Sequence, residues 1–276
     1  MIELPEAVTL ARQFAETLVG KTIAYAEAAA SPHRFTFYAG DPSGYDGLLS
    51  GRRITGASSN GGIPELELDG DLRLVMNDGA NPRYLAPGEA VPPKHQLLLG
   101  FDDGSALVCT VAMYGGLWAF RRGDFDNPYY LVAQEKPSPL SDAFDRAWFD
   151  GLLTPATGKL SAKAFLATEQ RIPGLGNGCL QDICWHARVH PKRRLDSLTP
   201  ADLTALYDAV RTTLAAMTAG GGRSTEKDLY GDPGGYQTIL SRATDGAPCP
   251  ACGTPITHLA YLGGRVYVCP TCQPLG

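Results

Sequence analysis

Cys249-Pro-Ala-Cys252 … Cys269-Pro-Thr-Cys272 closes the chain, two Cys-x-x-Cys pairs with sixteen residues between Cys252 and Cys269. Each pair sets two sulfurs on one side of a tight turn, and two such knuckles complete a tetrahedron of thiolates. The alternative is a disulfide framework, which belongs to secreted chains, and this chain is not expected to carry a secretory signal. Cys249, Cys252, Cys269 and Cys272 are therefore expected to hold one Zn2+. Four thiolates leave no open position for a water, so the ion is expected to be structural. Between the knuckles runs Thr257-His-Leu-Ala-Tyr-Leu-Gly-Gly-Arg265-Val-Tyr-Val268. Apolar and polar residues alternate about Gly263-Gly264, which predicts a β-hairpin turning there. Arg265 falls just past that turn. An arginine on a metal-braced tip suits a phosphate or a carboxylate, and a solvated turn arginine is the plainer alternative.

A chain of 276 residues is too large for one small core and fits two domains with an appendage. The apolar fraction of 44% is ordinary for a globular protein. No apolar run is long enough to cross a membrane, and Glu3 and Glu6 do not fit a signal peptide. Cys109, Cys179 and Cys184 are expected to be buried free thiols in a reducing cytosol. The net charge of −5 argues mildly against a nucleic-acid partner, but the charge is unevenly spread. Residues 1–158 carry 12 Lys and Arg against 20 Asp and Glu, a balance of −8; residues 159–242 carry 11 against 8, or +3. The small basic surplus lies in the second half, where it can mark a face for a polyanion.

Toward the N-terminus, Val8, Ala11, Phe14, Ala15, Leu18 and Val19 recur at helical steps, which predicts a helix over 5–19. Pro5 suits its first turn and Gly20 its end. From Thr22 to about Phe120 short strand-like runs (34–38, 65–68, 72–76, 95–101, 106–113) alternate with Gly, Pro, Asp and Asn clusters. A sandwich or barrel of about eight strands takes up this length. Pro128 to Pro139 reads as a connection, with a domain boundary near 130–145. Helices are then expected at 142–153, 161–170, 177–188 and 200–219. Ser161 is a candidate N-cap for the second, and Thr199 for the fourth, with Pro200 following.

Arg171-Ile-Pro-Gly174-Leu-Gly176-Asn177 lies between two of these helices. Its glycines permit a tight turn, Asn177 can cap the next helix, and the exposed amides there form an anion site. A well-made turn with no ligand is the plainer alternative. His190-Pro-Lys-Arg-Arg194 follows, and its cations Lys192, Arg193 and Arg194 could grip phosphate. The glycine-rich stretches 220–228 and 231–235 are expected to be flexible loops that order on a ligand.

Taken in order, Met1-Ile-Glu-Leu-Pro-Glu6, Arg171 to Asn177, His190 to Arg194 and the Arg265 hairpin with its cysteine pairs resemble the formamidopyrimidine-DNA glycosylase and endonuclease VIII family. The likeness is sharp at residues 3–6, strong from about 161 to 273, and loose across 22–130. It implies an α+β multi-domain fold: an N-terminal helix on a two-sheet β-sandwich (1–135), a helix–two-turn–helix domain (136–242) and a C-terminal four-cysteine zinc ribbon (243–276). It implies a monomer in the bacterial cytoplasm, associated with the nucleoid. Its partner would be double-stranded DNA with a damaged or abasic site, held between the two halves. Asn177 and Arg265 would lie on phosphates near the lesion, and Lys192 and Arg193 are further candidates for DNA contact. The implied activity is excision of an oxidised base flipped from the duplex, followed by strand cleavage.

The sequence departs from that pattern at its start. Family members begin Met-Pro-Glu-Leu-Pro-Glu; the methionine is removed and the proline amine attacks the sugar C1′ to form a Schiff base. Position 2 here is Ile. A bulky second residue blocks methionine removal, so Met1 is expected to stay. Its α-amine has an ordinary pKa of about 7.7–8.0 and can in principle attack. It would sit about 3.3–3.6 Å further along an extended chain, which is too far for a reaction that needs near-attack distances. The family's Gly-Lys-Tyr hairpin has only Ser59-Asn60-Gly61-Gly62 as its nearest match. Of the residues that fill the void of a flipped base, Tyr114 stands about where the family's Phe falls, and Met76 is near but offset.

Two functions follow from these residues. In the first, the chain is a DNA glycosylase, and Glu3, its pKa raised by burial, activates water as a general base. Met1 and Glu6 are the other candidate catalytic groups, although Glu3 and Glu6 could simply complement the first helix's N-terminus. In the second, the chain binds distorted or abasic DNA without chemistry. Loss of the proline and lysine favours binding alone; retention of Glu3-Leu-Pro-Glu6 favours catalysis.

Overall fold

The amphipathic N-terminal stretch folds as helix α1 (Leu4–Thr17) in a computed structural model that describes residues 1–275. Glu3 is its N-cap, and the Glu3 backbone N–H donates to Glu6 Oε2 at 3.1 Å. This satisfies one donor ahead of the first turn. Ala7, Leu10, Phe14 and Leu18, at helical spacing, all face inward.

They cover a β-sandwich. Its elements are β1 (Ile23–Ala28), β2 (Thr36–Tyr38), α2 (Tyr45–Leu49), β3 (Ile54–Asn60), β4 (Ile63–Leu68), β5 (Leu72–Met76), β6 (Ala80–Leu85), β7 (Leu97–Phe101), β8 (Ala106–Val111) and β9 (Gly115–Arg121). One sheet runs β1-β7-β8-β6 and the other β2-β9-β5-β4-β3, with β2 parallel to β9 and the other pairs antiparallel. Nine strands thus take the length assigned to about eight. Leu72, Leu74 and Met76 point between the sheets, beside Leu97, Leu99, Leu107 and Leu117. Alternation sends Arg73 and Val75 to the outer face of β5.

That outer face is also buried, and it explains a difference from the sequence reading. Residues 128–139, read as a connection, contain helix α3 (Pro128–Glu135). Asn127 Oδ1 accepts from the Tyr129 and Tyr130 N–H groups, and Pro128 stands at the helix start, where proline is tolerated. Tyr130 and Ala133 cover Val75, Trp118 and Phe120. Arg73 Nε lies 2.9 Å from Glu65 Oε1, and Tyr130 donates to Glu65 Oε2 at 2.8 Å.

A second core forms from α4 (Arg146–Gly151), α5 (Pro155–Gly158), α6 (Ala162–Ala167), α7 (Asn177–His186) and α8 (Pro200–Ala219). Phe149, Phe165, Leu180, Ile183, Leu206 and Val210 fill it, and Leu4 of α1 enters it from the other half. Ser161 and Thr199 cap α6 and α8, their hydroxyls accepting from the Ala164 and Asp202 N–H groups at 3.2 and 3.1 Å. Between α6 and α7 the chain turns at Glu169-Gln170 and again at Pro173-Gly174, with φ of 56°, 48° and 77° at Glu169, Gln170 and Gly174. This is the helix–two-turn–helix arrangement.

The C-terminal hairpin pairs β10 (Thr257–Tyr261) with β11 (Gly264–Val268). Its turn is Leu262-Gly263, at φ 47° and 72°, one residue earlier than expected. A two-residue hairpin turn needs two left-handed residues, and Leu262 accepts that conformation so that Gly264 can join the strand. Among the described residues, no helix is long and apolar enough to cross a membrane.

Candidate active site

The N-terminal strand is stitched between the two halves. The Ile2 N–H donates to Asp78 O at 2.6 Å, and the Leu4 N–H donates to Gly174 O at 2.8 Å. Gly174 has φ 77°, and a Cβ there would come 2.3 Å from Gly62 N. Gly61-Gly62, the tip between β3 and β4, is tucked against this turn, so backbone occupies the place where a longer side chain would project. Met76 is fully buried in the sandwich core and is not placed to fill a gap in DNA. Tyr114 is exposed on the turn between β8 and β9, beside Met113, which is 69% exposed at φ 66°.

Glu3 is almost completely buried, and every acceptor position of its carboxylate is used. Oε2 accepts from the Gly176 and Cys179 N–H groups at 3.0 and 2.8 Å. Oε1 accepts from the Gly178 N–H at 2.8 Å and from the Arg223 guanidinium at 3.3 Å. Two expectations are corrected. Glu3, rather than Asn177, supplies the oxygens at the start of α7, and the anion site made by those amides holds the protein's own carboxylate. The Glu3 pKa is lowered, not raised. Burial opposes ionisation, but Arg223 and the Cys179 and Gly178 amides outweigh it. With no free lone pair and a firmly held charge, Glu3 is not placed to take a proton from water.

The loop expected to be flexible is tied down by the same charges. Arg223, 2% exposed, donates from its backbone N–H and Nε to Glu6 Oε1, both at 3.0 Å, and from its terminal nitrogen to Glu6 Oε2 at 2.7 Å. That nitrogen also donates to Met1 O at 3.0 Å. Three residues on, Glu226 Oε2 accepts from the Met1 α-amine at 2.5 Å. Leu229 is fully buried in the sandwich core; its N–H donates to Gln13 Oε1 at 3.0 Å, and its carbonyl accepts from the Tyr84 N–H at 2.9 Å. Buried carboxylates need a buried cation, and that requirement orders the glycine-rich segment without a ligand.

Asp78 completes the cluster. It adopts φ 50°, and its carboxyl is pushed up to about 6 by burial and by the charge of Glu3, with the N-terminal amine pulling the other way. The Tyr114 phenol is pushed up by burial and by the charges of Asp78, Glu3 and Tyr129. Sequence reasoning missed Asp78, Arg223 and Glu226. Asp78-Gly79 reads only as a turn, and an arginine after three glycines reads as a loop. A buried Glu3-x-x-Glu6 pair with no nearby cation was the signal that a distant arginine was owed.

The DNA-facing candidates divide. Asn177 Nδ2 donates to Arg265 O at 3.0 Å, and Lys163 Nζ donates to Tyr261 O at 2.7 Å, so α6 and α7 hold the hairpin. Arg265 is exposed and has no ion-pair partner among the described residues. Lys192 lies 5.1 Å over the Tyr261 ring. Arg193 is engaged by Asp202 Oδ2 at 3.3 Å and Ser197 O at 3.1 Å, and Arg194 pairs with Asp196. Of the three cations read from the sequence as a phosphate grip, Arg193 and Arg194 are paired with local carboxylates, and Lys192 has no ion-pair partner among the described residues.

The sulfurs of Cys249, Cys252, Cys269 and Cys272 lie within 4.8 Å of one another. Cys249 and Cys272 are 3.8 Å apart, and Cys252 and Cys269 are 3.4 Å apart. A tetrahedral ion at about 2.3 Å from each sulfur gives edges of about 3.8 Å, so the four thiolates fit one metal ion. Trp185 Nε1 donates to Cys249 Sγ at 3.4 Å, an outer contact that orients the ligand.

Known proteins agree with this architecture. Residues 1–118 match the family model described as formamidopyrimidine-DNA glycosylase N-terminal domain. The formamidopyrimidine-DNA glycosylase of Thermus thermophilus is 31% identical over the whole of both chains. That of Lactococcus lactis subsp. cremoris is 29% identical over 99% of each. The crystal structure of MutM (Fpg) from Thermus thermophilus superposes with a TM-score of 0.82 at 30% identity, covering 99% of both chains. The Lactococcus lactis Fpg in complex with abasic-site DNA does so with 0.83 at 25%, covering 98% of this chain and 99% of that one. From its N-terminal Glu-Leu-Pro-Glu to its cysteine ribbon, the chain belongs to the formamidopyrimidine-DNA glycosylase family.

Proposed function

We propose that this chain is a base-excision DNA glycosylase that releases a damaged base from duplex DNA by hydrolysis and does not open the strand through its N-terminal amine. It is read as three domains, 1–135, 136–242 and 243–276, with Zn2+ in the last. The observation that carries the proposal is the buried, ionised Glu3, fixed by three backbone N–H groups and Arg223. Breaking a glycosidic bond develops positive charge on the sugar. A preorganised anion stabilises that charge at no cost of reorganisation. The Met1 amine, one residue before the family's nucleophile and engaged by Glu226, supports hydrolysis over Schiff-base chemistry.

Asn177, Lys192 and Arg265 are assigned to phosphates, and Tyr114 to the duplex near the lesion. Zinc, when bound, braces the Arg265 hairpin and takes no part in the reaction. The Lactococcus relative in complex with DNA containing an N7-benzyl-Fapy-dG gives the substrate class its support. A panel of duplexes with oxidised, alkylated and abasic lesions, read with and without hot alkali, tests the proposal. Breaks only after alkali are expected; breaks without alkali would contradict the hydrolytic route.

A second reading, a damage-binding protein without chemistry, is favoured by the saturated acceptor positions of Glu3. Tight binding to abasic duplex with no base released from any lesion would decide for it.

A further inference from the structure

The proposed hydrolysis needs a group to take the proton of the attacking water, and Glu3 is not placed to do so. Glu6 is locked by Arg223, and Glu226 by the Met1 amine. Asp78 is the remaining carboxylate of the cluster, and its side chain has no hydrogen-bond or ion-pair partner among the described residues. It is partly exposed, so water reaches it.

Its position is fixed from three sides. The Ile2 N–H donates to its carbonyl at 2.6 Å, which sets it against the N-terminal strand beside Glu3. The Gly79 N–H donates to Tyr114 O at 2.9 Å, and Asn77 Oδ1 accepts from the Gly116 N–H at 2.6 Å. The turn is therefore pinned to the segment that carries Tyr114. Aspartate is one of the few non-glycine residues that tolerate a left-handed backbone, and those contacts hold Asp78 in it. The charged and titratable groups facing it are Glu3, the Met1 amine and the Tyr114 phenol.

We propose that Asp78 is the general base of this enzyme, accepting a proton from the water that attacks C1′ of the damaged nucleotide. This rests on the glycosylase reading above. The water oxygen bonds to C1′ as the C1′–N bond breaks, and the bonding electron pair leaves with the base nitrogen. A water proton passes to the Asp78 carboxylate and from there, directly or through solvent, to the departing base. The net change is water added across the bond: hydroxyl on C1′, hydrogen on the base. Glu3 stays ionised throughout and stabilises the cationic sugar.

The test is single-turnover base release from formamidopyrimidine and 8-oxoguanine duplexes by wild type, Asp78→Asn and Asp78→Glu. Affinity for an abasic-site duplex is measured alongside. Asparagine keeps the shape and tolerates the left-handed backbone. Asp78→Asn is expected to slow release about 100-fold or more with abasic-site affinity within about threefold, and Asp78→Glu to recover part of the rate. In wild type the rate should climb as pH rises through about 6, where Asp78 loses its proton, and level off above; this limb should vanish in Asp78→Asn. Asp78→Asn with wild-type rate and pH limb would overturn the role of Asp78 and leave the glycosylase reading standing. Loss of abasic-site binding together with rate would make Asp78 structural and equally overturn the proposal. No release by wild type from any lesion would instead defeat the glycosylase reading itself, and the base assignment with it.

Discussion

Arg223 reaches back 220 positions along the chain to lie 3.3 Å from Glu3, with both side chains buried. The same guanidinium holds Glu6 at 2.7 Å. Removing one partner of such a cluster leaves uncompensated buried charge. Arg223→Ala is expected to destabilise the protein by about 3–5 kcal/mol, read by chemical denaturation. Arg223→Lys should recover only part, because an ammonium cannot make the forked contacts with Glu6. A loss below about 1 kcal/mol for the alanine variant would mean the cluster relaxes or admits water.

The lowered pKa of Glu3 makes stability depend on pH in a stated direction. Folding favours its ionised form. Its contribution is complete above the ordinary carboxylate value of 4.5 and fades as pH falls through its depressed folded value. Wild type should therefore lose stability steeply below about pH 4.5. Glu3→Gln should be less stable than wild type near neutrality and should show a flatter decline on acidification. Parallel acid profiles for the two proteins would contradict the lowered pKa.

Asp78 works in the opposite sense. Its folded pKa of about 6 lies above its ordinary 3.8, so folding penalises its charge at neutral pH and the penalty is relieved as pH falls through about 6. Asp78→Asn is expected to stabilise the protein at pH 7.5 by about 1–2 kcal/mol after allowance for solvent screening. The gain should disappear near pH 4. A residue whose replacement raises stability while lowering activity is the signature of a group retained for chemistry. Equal stability of the two proteins across this range would remove that argument.

What the sequence made legible was whatever is coded locally. The Cys-x-x-Cys pairs, the Ser161 and Thr199 caps and the Glu3-Leu-Pro-Glu6 motif depend on residues within one turn of each other. Helix α3 escaped because Pro128 reads as a breaker, although the same proline suits a first helical turn once Asn127 caps it. The site was only half legible for a different reason. Its partners meet across 75 to 225 positions, as Glu226 meets Met1 and Arg223 meets Glu3. No local pattern encodes those meetings; only the rule that a buried charge must be answered does. For the cations of 192–194 the pairing is local instead: Asp196 and Asp202 lie close by in sequence and pair with Arg194 and Arg193.

The hairpin that presents Arg265 depends on two supports, the four thiolates at its base and the Asn177 and Lys163 contacts near its turn. Stripping the metal removes the first. Chelation is expected to lower affinity for abasic-site duplex at least about tenfold, because the proposed Arg265 phosphate contact loses its brace. The two main cores should remain folded, since their packing does not include the cysteine cluster. Metal content, anisotropy binding and circular dichroism on the same sample check this. Unchanged affinity in metal-free protein would mean that Asn177 and Lys163 suffice to hold the tip.

The register of the N-terminus offers the most direct test of how this chain differs from its relatives. In the sequence register that the resemblance implies, the Ile2 nitrogen, 2.6 Å from Asp78 O, corresponds to the family's attacking amine, but here it is an amide. An amide nitrogen has no available lone pair, and the free amine one residue earlier is engaged by Glu226. Ile2→Pro makes the second residue small enough for methionine removal and turns that same nitrogen into a secondary amine. Wild type is expected to give no borohydride-trapped adduct with abasic duplex and no strand breaks without alkali. Ile2→Pro, with removal of Met1 verified by mass, is expected to give both, at some cost in packing because Ile2 is buried. A trapped adduct in wild type would mean that the Met1 amine leaves Glu226 and reaches C1′. Its absence from processed Ile2→Pro would mean that more than the position of one nitrogen separates hydrolysis from lyase chemistry on this scaffold.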